Sequence, residues 1–158
     1  MRNRVYVAVL AGAMAVGAPI ARASDPVSGP SVETLSSNLS ARANWEQAKP
    51  PRYRFVFRRQ CYCALPNDVL IEVENDQVVA VRRLEDGVPV PQQQFREYPT
   101  IGHLLTEIDN AMRSHPDSLL VEYDRVQGFP KRVRIDFSYR TADDEIDYTI
   151  DRVEISPP

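Results

Sequence analysis

The feature that most constrains the fold is an alternation of aromatic side chains over residues 53–58. The aromatic positions are Tyr53, Phe55 and Phe57. A period of two is typical of a strand with one face in a core and the other in water. Continued forward, the alternation places Cys61 and Cys63 on the aromatic face, whereas Arg59 interrupts it. We therefore predict a bulge or a sheet edge near Arg59.

Two segments have the apolar spacing of α-helices. The first covers residues 31–47, with Ser31 as its cap and an apolar face formed by Val32, Leu35 and Leu39. The second covers residues 101–112, with Thr100 as its cap and one continuous apolar stripe. The stripe consists of Ile101, Leu104, Leu105, Ile108, Ala111 and Met112.

Short strands and turns account for most of the remaining chain. Residues 69–74 and 78–83 are predicted to form one hairpin, residues 119–124 and 131–139 a second, and residues 145–155 a last strand. A change of apolar parity in the last strand predicts a bulge near Asp151. Residues 86–99 are rich in Pro and Gln and are predicted to be a loop without regular structure.

This order of elements indicates an α+β fold. We predict a twisted antiparallel sheet of five or six strands with two helices packed on one face. The fold occupies a single domain at residues 32–156, which suits a chain with 43% hydrophobic and 26% charged residues. Each half begins with a helix followed by a hairpin, which is compatible with a degenerate internal repeat but does not establish one.

The N-terminus has the three parts of a secretory signal peptide. Arg2 and Arg4 provide the positive charge, residues 5–20 are almost wholly apolar, and Ala21-Arg22-Ala23 offers a cleavage site. We predict a signal peptide at residues 1–23, a flexible leader at 24–31, and a periplasmic or secreted protein. The apolar run is shorter than the roughly 20 residues of a membrane span, so no transmembrane anchor is expected after cleavage.

The charge of the exported chain argues against nucleic acid as a partner. Cleavage removes three arginines and no acid, which leaves 16 basic and 22 acidic groups and a net charge of −6. Nucleic-acid-binding domains carry a basic excess instead.

Cys61 and Cys63 are the only cysteines, and three states are open to them. In a regular strand their Cα atoms would lie about 6.6 Å apart, near the upper limit for a disulfide, so a bond between them needs a local bulge or turn. As thiolates they could hold copper(I), or zinc with help from His103 and His115 or from carboxylates. Two reduced thiols, inert or active in redox chemistry, are the third state.

No familiar catalytic motif accompanies these residues. The sequence contains no G-x-S-x-G, H-E-x-x-H or P-loop pattern. His103 lies one helical turn before Glu107, a spacing that suits a solvated pair on the polar face. We therefore expect no catalytic residues, no metal ligands beyond the cysteine alternative, and no cofactor.

Two further segments are candidate binding residues. The acidic run Asp143-Asp144-Glu145, continued by Asp147, offers oxygen ligands to calcium, although a charged hairpin connection in water explains it as well. Tyr123 and Asp124 precede Gly128 and Pro130, a composition that also suits a turn.

Several motifs in this order resemble one protein family. They are Trp45, Tyr53-Arg54-Phe55, Cys61-Tyr62-Cys63, Tyr98-Pro99-Thr100-Ile101, Tyr123-Asp124, Gly128-Phe129-Pro130, Ile135-Asp136 and Asp144-Glu145-Ile146. The chain thus resembles, over residues 42–151, an exported bacterial domain-of-unknown-function family, number 6174, with many lipoprotein members. Here Arg125 replaces the family's usual Pro, and no lipid-accepting cysteine is present. The resemblance implies no activity.

These observations favour a non-enzymatic periplasmic or secreted binding module, with an unknown protein or envelope ligand as its partner. The uncovered sheet face, or the loops at 86–99 and 124–130, would meet that partner. The alternative is a redox or metal-handling protein that acts on copper or zinc through Cys61 and Cys63.

Overall fold

A computed structural model describes residues 32–48, 50–60, 64–141 and 145–156. The predicted signal peptide and leader, Cys61, Cys63 and Asp144 lie outside these residues. The helices are α1 (Val32–Ala48) and α2 (Ile101–Ser114), and a short 3₁₀ helix covers Gln92–Glu97. The strands are β1 (Arg52–Arg59), β2 (Asp68–Glu74), β3 (Gln77–Arg83), β4 (Ser118–Tyr123), β5 (Pro130–Asp136) and β6 (Ile146–Ile155).

The six strands form one antiparallel sheet in the order β3-β2-β1-β6-β5-β4. Each half of the domain is a helix followed by a three-stranded meander, and the two meanders meet where β1 pairs with β6. The predicted α+β fold, with an antiparallel sheet and two helices, is confirmed.

The core lies between the helices and the inner face of the sheet. The aromatic positions of β1 are all buried there, together with the whole apolar stripe of α2. Thr100 caps α2 as predicted, because its side-chain oxygen accepts a hydrogen bond from the backbone N–H of His103 at 3.2 Å. The ring of Trp45 on α1 packs edge-on against Tyr53, with ring centroids 5.2 Å apart.

The bulge predicted in the last strand is present. The register between β1 and β6 shifts between Phe55 and Val56, which pair with Val153 and Asp151. Arg152, between those two partners, has a φ of 57° and is the extra residue of the bulge.

The predicted inner face of α1 was wrong. Leu35 and Leu39 are exposed, whereas Asn38, Ala41 and Trp45 are buried. Asn38 can occupy the inner face because its amide donates to Asp109 Oδ1 on α2 at 2.9 Å, which compensates the burial of a polar group.

Three further expectations need correction. β1 is a central strand that stays paired through Arg59, which lies opposite Tyr148, so the predicted bulge or edge near Arg59 was wrong. The predicted loop 86–99 contains the 3₁₀ helix Gln92–Glu97. β5 ends at Asp136 rather than at residue 139.

Candidate functional site

The candidate site begins with the position of Arg59 at the end of β1. Side chains alternate along a strand, so Arg59 has the same parity as Tyr53, Phe55 and Phe57 and lies on the helix-covered side of the sheet. The strand pairing fixes it there, because Arg59 is in register with Tyr148 of β6. A cation is thus held at the edge of the core by a regular central strand.

The guanidinium of Arg59 is incompletely satisfied. Its Nε and Nη2 atoms are buried, and no described residue accepts a hydrogen bond from either of them. Among the described residues, no carboxylate lies within 4.0 Å of this side chain. Buried hydrogen-bond donors without partners destabilise a fold. Core packing therefore does not explain why an arginine occupies this position.

Glu107 and Tyr148 complete the polar groups around Arg59. Burial raises the pKa of the Glu107 carboxyl above its usual range, and the charge of Arg59 opposes this shift. The Tyr148 hydroxyl is also buried and has no hydrogen-bond partner in the part of the chain that the structure describes. Burial raises its pKa well above the usual range, and the charge of Glu107 adds to that shift. Tyr148 therefore keeps its proton and is a hydrogen-bond donor at neutral pH.

These groups line a cavity of about 430 Å³, which we call the Arg59 cavity. It lies between the end of β1, the start of β6, the 3₁₀ helix and α2. Its lining residues are Phe57, Arg59, Gln60, Arg96, Glu97, Tyr98, Pro99, His103, Leu104, Glu107, Glu145, Ile146, Asp147 and Tyr148. Small-molecule sites commonly have volumes of about 300–1,000 Å³, so the cavity is large enough for a small ligand.

A second, larger depression shares Arg59 and Tyr148 with the Arg59 cavity. The cations that only the second depression contains already have partners, because Arg58 is paired with Asp151 and Arg134 with Asp147. Exposed ion pairs of this kind keep a sheet face soluble and contribute about 0–1 kcal/mol each. The Arg59 cavity is therefore the stronger candidate for ligand binding.

Only some of the residues singled out from the sequence line this cavity. Glu145 and His103 line it, and so does Gln60, the residue before Cys61. His103 and Glu107, predicted as a solvated pair, both line the cavity but form no ion pair within 4.0 Å among the described residues. Within those residues, no group of three or more His, Cys, Asp or Glu side chains could hold a metal ion.

The candidate turn at residues 123–130 is placed against α1 instead. Asp124 Oδ1 accepts hydrogen bonds from the N–H groups of Val126 at 2.9 Å and Gln127 at 2.7 Å. Gly128 has a φ of 79°, and a Cβ there would lie 2.0 Å from the carbonyl oxygen of Ala41. These contacts explain Asp124 and Gly128 as structural residues, and a binding role for them stays a prediction.

Tyr123 and Pro130 close the same turn, where they pair as the last residues of the β4–β5 ladder. The Tyr123 hydroxyl is buried without a hydrogen-bond partner, and burial raises its pKa far above the usual range. Neither residue lines the Arg59 cavity.

Sequence reasoning missed Arg59, Tyr98 and Tyr148 as site residues. The signal for Arg59 was available, because its parity with the aromatic positions of β1 places it on the inner face. Tyr98 follows the 3₁₀ helix that was taken for a loop, and its hydroxyl donates to the carbonyl of Pro66 at 3.3 Å. The signal for Tyr148 depends on strand pairing, which a sequence does not display.

Comparison with known proteins identifies the family. Residues 37–155 match the sequence profile of a family described as a family of unknown function (DUF6174). The chain belongs to this family. The match covers the domain from α1 to β6 and confirms the resemblance carried by the motifs. No curated protein and no solved structure matches the chain.

Within the described residues, neither helix is both long enough and apolar enough to span a bilayer.

Proposed function

We propose that this chain is an exported, non-enzymatic binding module whose ligand site is the Arg59 cavity. The observation that carries the proposal is the buried Nε–Nη2 edge of Arg59, which has no hydrogen-bond partner in the described part of the chain and belongs to a residue that lines a cavity of small-molecule size. Buried polar groups in folded proteins are almost always hydrogen-bonded, so an exception beside a cavity indicates a role other than stability.

The sequence supports binding rather than catalysis, and export rather than retention. It lacks the common motifs of hydrolases and nucleotide-binding enzymes, and its first 23 residues have the pattern of a cleaved signal. A saturable ligand site of an exported protein needs only a preformed cavity with a few placed polar groups, which the Arg59 cavity supplies.

The cavity is tested by amide NMR with three probes of one shape. Benzoate, benzamide and benzamidine share a phenyl ring and carry negative, neutral and positive groups. We expect at least one probe to shift the backbone amides of Arg59, His103 and Tyr148 in a saturable way. If none of the three shifts these amides, the cavity is not a ligand site and the proposal fails.

A matched pair of variants locates the binding. His103 is exposed and lines the Arg59 cavity, whereas Thr106 is exposed on the same helix and does not line it. His103→Trp should block the cavity and remove the shifts, and Thr106→Trp should leave them unchanged. Binding that survives in His103→Trp would place the site elsewhere, with the uncovered sheet face as the next candidate.

The second candidate function is redox or metal handling through Cys61 and Cys63. It is favoured by Gln60, which directly precedes Cys61 in sequence and lines the Arg59 cavity. Alkylation with and without reductant, followed by mass measurement and metal analysis of the same sample, tests it. A disulfide that resists mild reductant, with no bound copper or zinc, would argue against this function.

A further inference from the structure

We infer that the ligand of the Arg59 cavity is a small molecule with a carboxylate group, bound by the Nε–Nη2 edge of Arg59. This inference rests on the proposed function, because it names the chemistry of the ligand for that same cavity. It assigns Arg59 as the charge that neutralises the ligand and Tyr148 as a second hydrogen-bond donor.

The first argument is the kind of atom that lacks a partner. Three buried atoms of the lining residues have no hydrogen-bond partner within the residues that the structure describes, namely Nε and Nη2 of Arg59 and the hydroxyl of Tyr148. The two nitrogens are pure donors, and Tyr148 is a donor while it keeps its proton. A group of unpaired donors is complemented by an acceptor, and an anionic acceptor also neutralises the guanidinium.

The second argument is an internal comparison among the arginines of this protein. Three others use the same Nε–Nη2 edge to bind a carboxylate, namely Arg54 with Glu154, Arg83 with Asp86 and Arg134 with Asp147. In Arg134 the two nitrogens lie 3.0 and 2.8 Å from the same oxygen of Asp147. This edge presents two parallel N–H groups, which match a carboxylate.

The acidic side chains that line the cavity do not prevent an anionic ligand from binding. Glu97 is paired with Arg96, and Asp147 is paired with Arg134. Glu145 is exposed and is screened by solvent. Glu107 is the remaining acid, and its burial favours the neutral carboxyl. Arg59 is the cation of the cavity lining that has no carboxylate within 4.0 Å among the described residues, so a carboxylate ligand can pair with it.

Access to Arg59 requires a change of its side-chain rotamer. Nε and Nη2 are shielded from solvent in the structure, although the residue itself lines the cavity. Turning the guanidinium toward the cavity exposes the edge and replaces a buried, unpaired charge by a paired one.

The test compares affinities within the three-probe series, and benzoate is the carboxylate member. We expect benzoate to bind about fivefold or more tightly than benzamide, and benzamidine to bind most weakly. Equal binding of benzoate and benzamide would overturn the carboxylate assignment while the proposed function stands. Absence of any binding would overturn the proposed function itself, so the two failures are distinguishable.

Variants of Arg59 show whether this side chain causes the preference. Arg59→Met should remove the preference for benzoate over benzamide, and Arg59→Lys should retain only part of it, because an ammonium lacks the two parallel donors. Arg58→Met is the matched control, since Arg58 is the adjacent strand residue on the opposite face. A preference that persists in both Arg59 variants would overturn the inference.

A fourth probe separates carboxylate from phosphate. Phenyl phosphate has the same ring and a tetrahedral anion of higher charge. We expect it to bind no more tightly than benzoate. If it binds about fivefold or more tightly, the site recognises phosphate and the carboxylate assignment is wrong.

Discussion

At the scale of single residues, the position of Arg59 is the one that core packing explains least well. Its neighbours on the inner face of β1 are Tyr53, Phe55 and Phe57, each 2% exposed or less. The free energy of hiding a guanidinium beside them is unfavourable unless a partner satisfies its donors. Arg59 is therefore a residue whose removal should help the fold and harm binding.

The substitution Arg59→Met tests the expected gain in folding stability. Methionine replaces most of the buried stem without the charge, so we expect the free energy of unfolding to rise by about 1 kcal/mol or more. Urea unfolding at pH 7, followed by Trp45 fluorescence, measures the change. Arg58→Met removes only an exposed ion pair and should shift stability by less than about 0.5 kcal/mol. A larger loss in Arg59→Met than in Arg58→Met would contradict the expectation.

Glu107→Gln should change how stability depends on pH. The pKa of Glu107 is raised in the folded protein above its ordinary value of 4.5. Between these two values the folded chain holds a proton that the unfolded chain has released, so the contribution of Glu107 to stability falls as pH rises. Glutamine does not ionise. The variant should therefore be the more stable protein at pH 7, with the difference shrinking below pH 4.5.

Unfolding curves recorded across this pH range test the Glu107 prediction. The control is Glu122→Gln, which changes an exposed carboxylate on β4 and should alter the pH profile little. Parallel profiles for wild type and Glu107→Gln would show that the proton of Glu107 is not linked to folding.

Position 128 is where backbone geometry most strongly restricts the residue type to glycine. A methyl group there would meet the Ala41 carbonyl oxygen at 2.0 Å, in addition to the strain of a φ of 79°. We expect Gly128→Ala to lower the free energy of unfolding by about 3 kcal/mol or more. Gly87 has a φ of 71° with nothing within 4 Å, so Gly87→Ala should cost only the strain, about 1 kcal/mol. Equal losses would show that α1 and the turn move apart easily.

At the scale of elements, the two helices show what a sequence can and cannot predict. The stripe of α2 was predicted residue by residue, because its large apolar side chains recur at one spacing and nothing competes with them. The inner face of α1 was missed. Its face is formed by Asn38, Ala41 and Trp45. The side-chain NH2 group of Asn38 donates to Asp109, a residue 71 positions away. No local pattern reports such a partner.

The strands could be predicted from local sequence patterns, whereas the site could not. Period-two patterns predicted β1, β5 and β6, since alternation follows directly from strand geometry, and apolar runs on either side of a turn predicted the other strands. The Arg59 cavity depends on which strands and helices become neighbours, and residues from four separate elements line it. The 3₁₀ helix was missed because short 3₁₀ segments lack a distinctive apolar period.

The two faces of α1 can be tested with one substitution type. Leu39 is 71% exposed and Ala41 is 4% exposed. Leu39→Glu should change the free energy of unfolding by less than about 0.5 kcal/mol, whereas Ala41→Glu should lower it by about 3 kcal/mol or more, because a charge is forced into the core. Thermal unfolding of both variants measures the contrast. A large loss in Leu39→Glu would mean that this leucine is covered in solution.

At the scale of the whole molecule, the proposed export can be measured directly. The signal at residues 1–23 predicts that a bacterial host releases the full chain into the periplasm or medium with Ser24 as its new N-terminus. N-terminal sequencing measures this. Ala23→Leu, which removes the small residue that cleavage requires, should leave the chain uncut. A chain that stays in the cytoplasm with Met1 in place would contradict export.

The pairing of β1 with β6 governs the order in which the domain can be completed. β1 is made early and sits at the middle of the sheet, yet its partner on one side is the last strand in sequence. Until β6 arrives, the first meander has an open edge along its most aromatic strand, a template for joining other chains. On the proposed export route the N-terminus crosses the membrane first, so we expect that the core cannot close during passage and that solubility depends on how quickly the final segment follows.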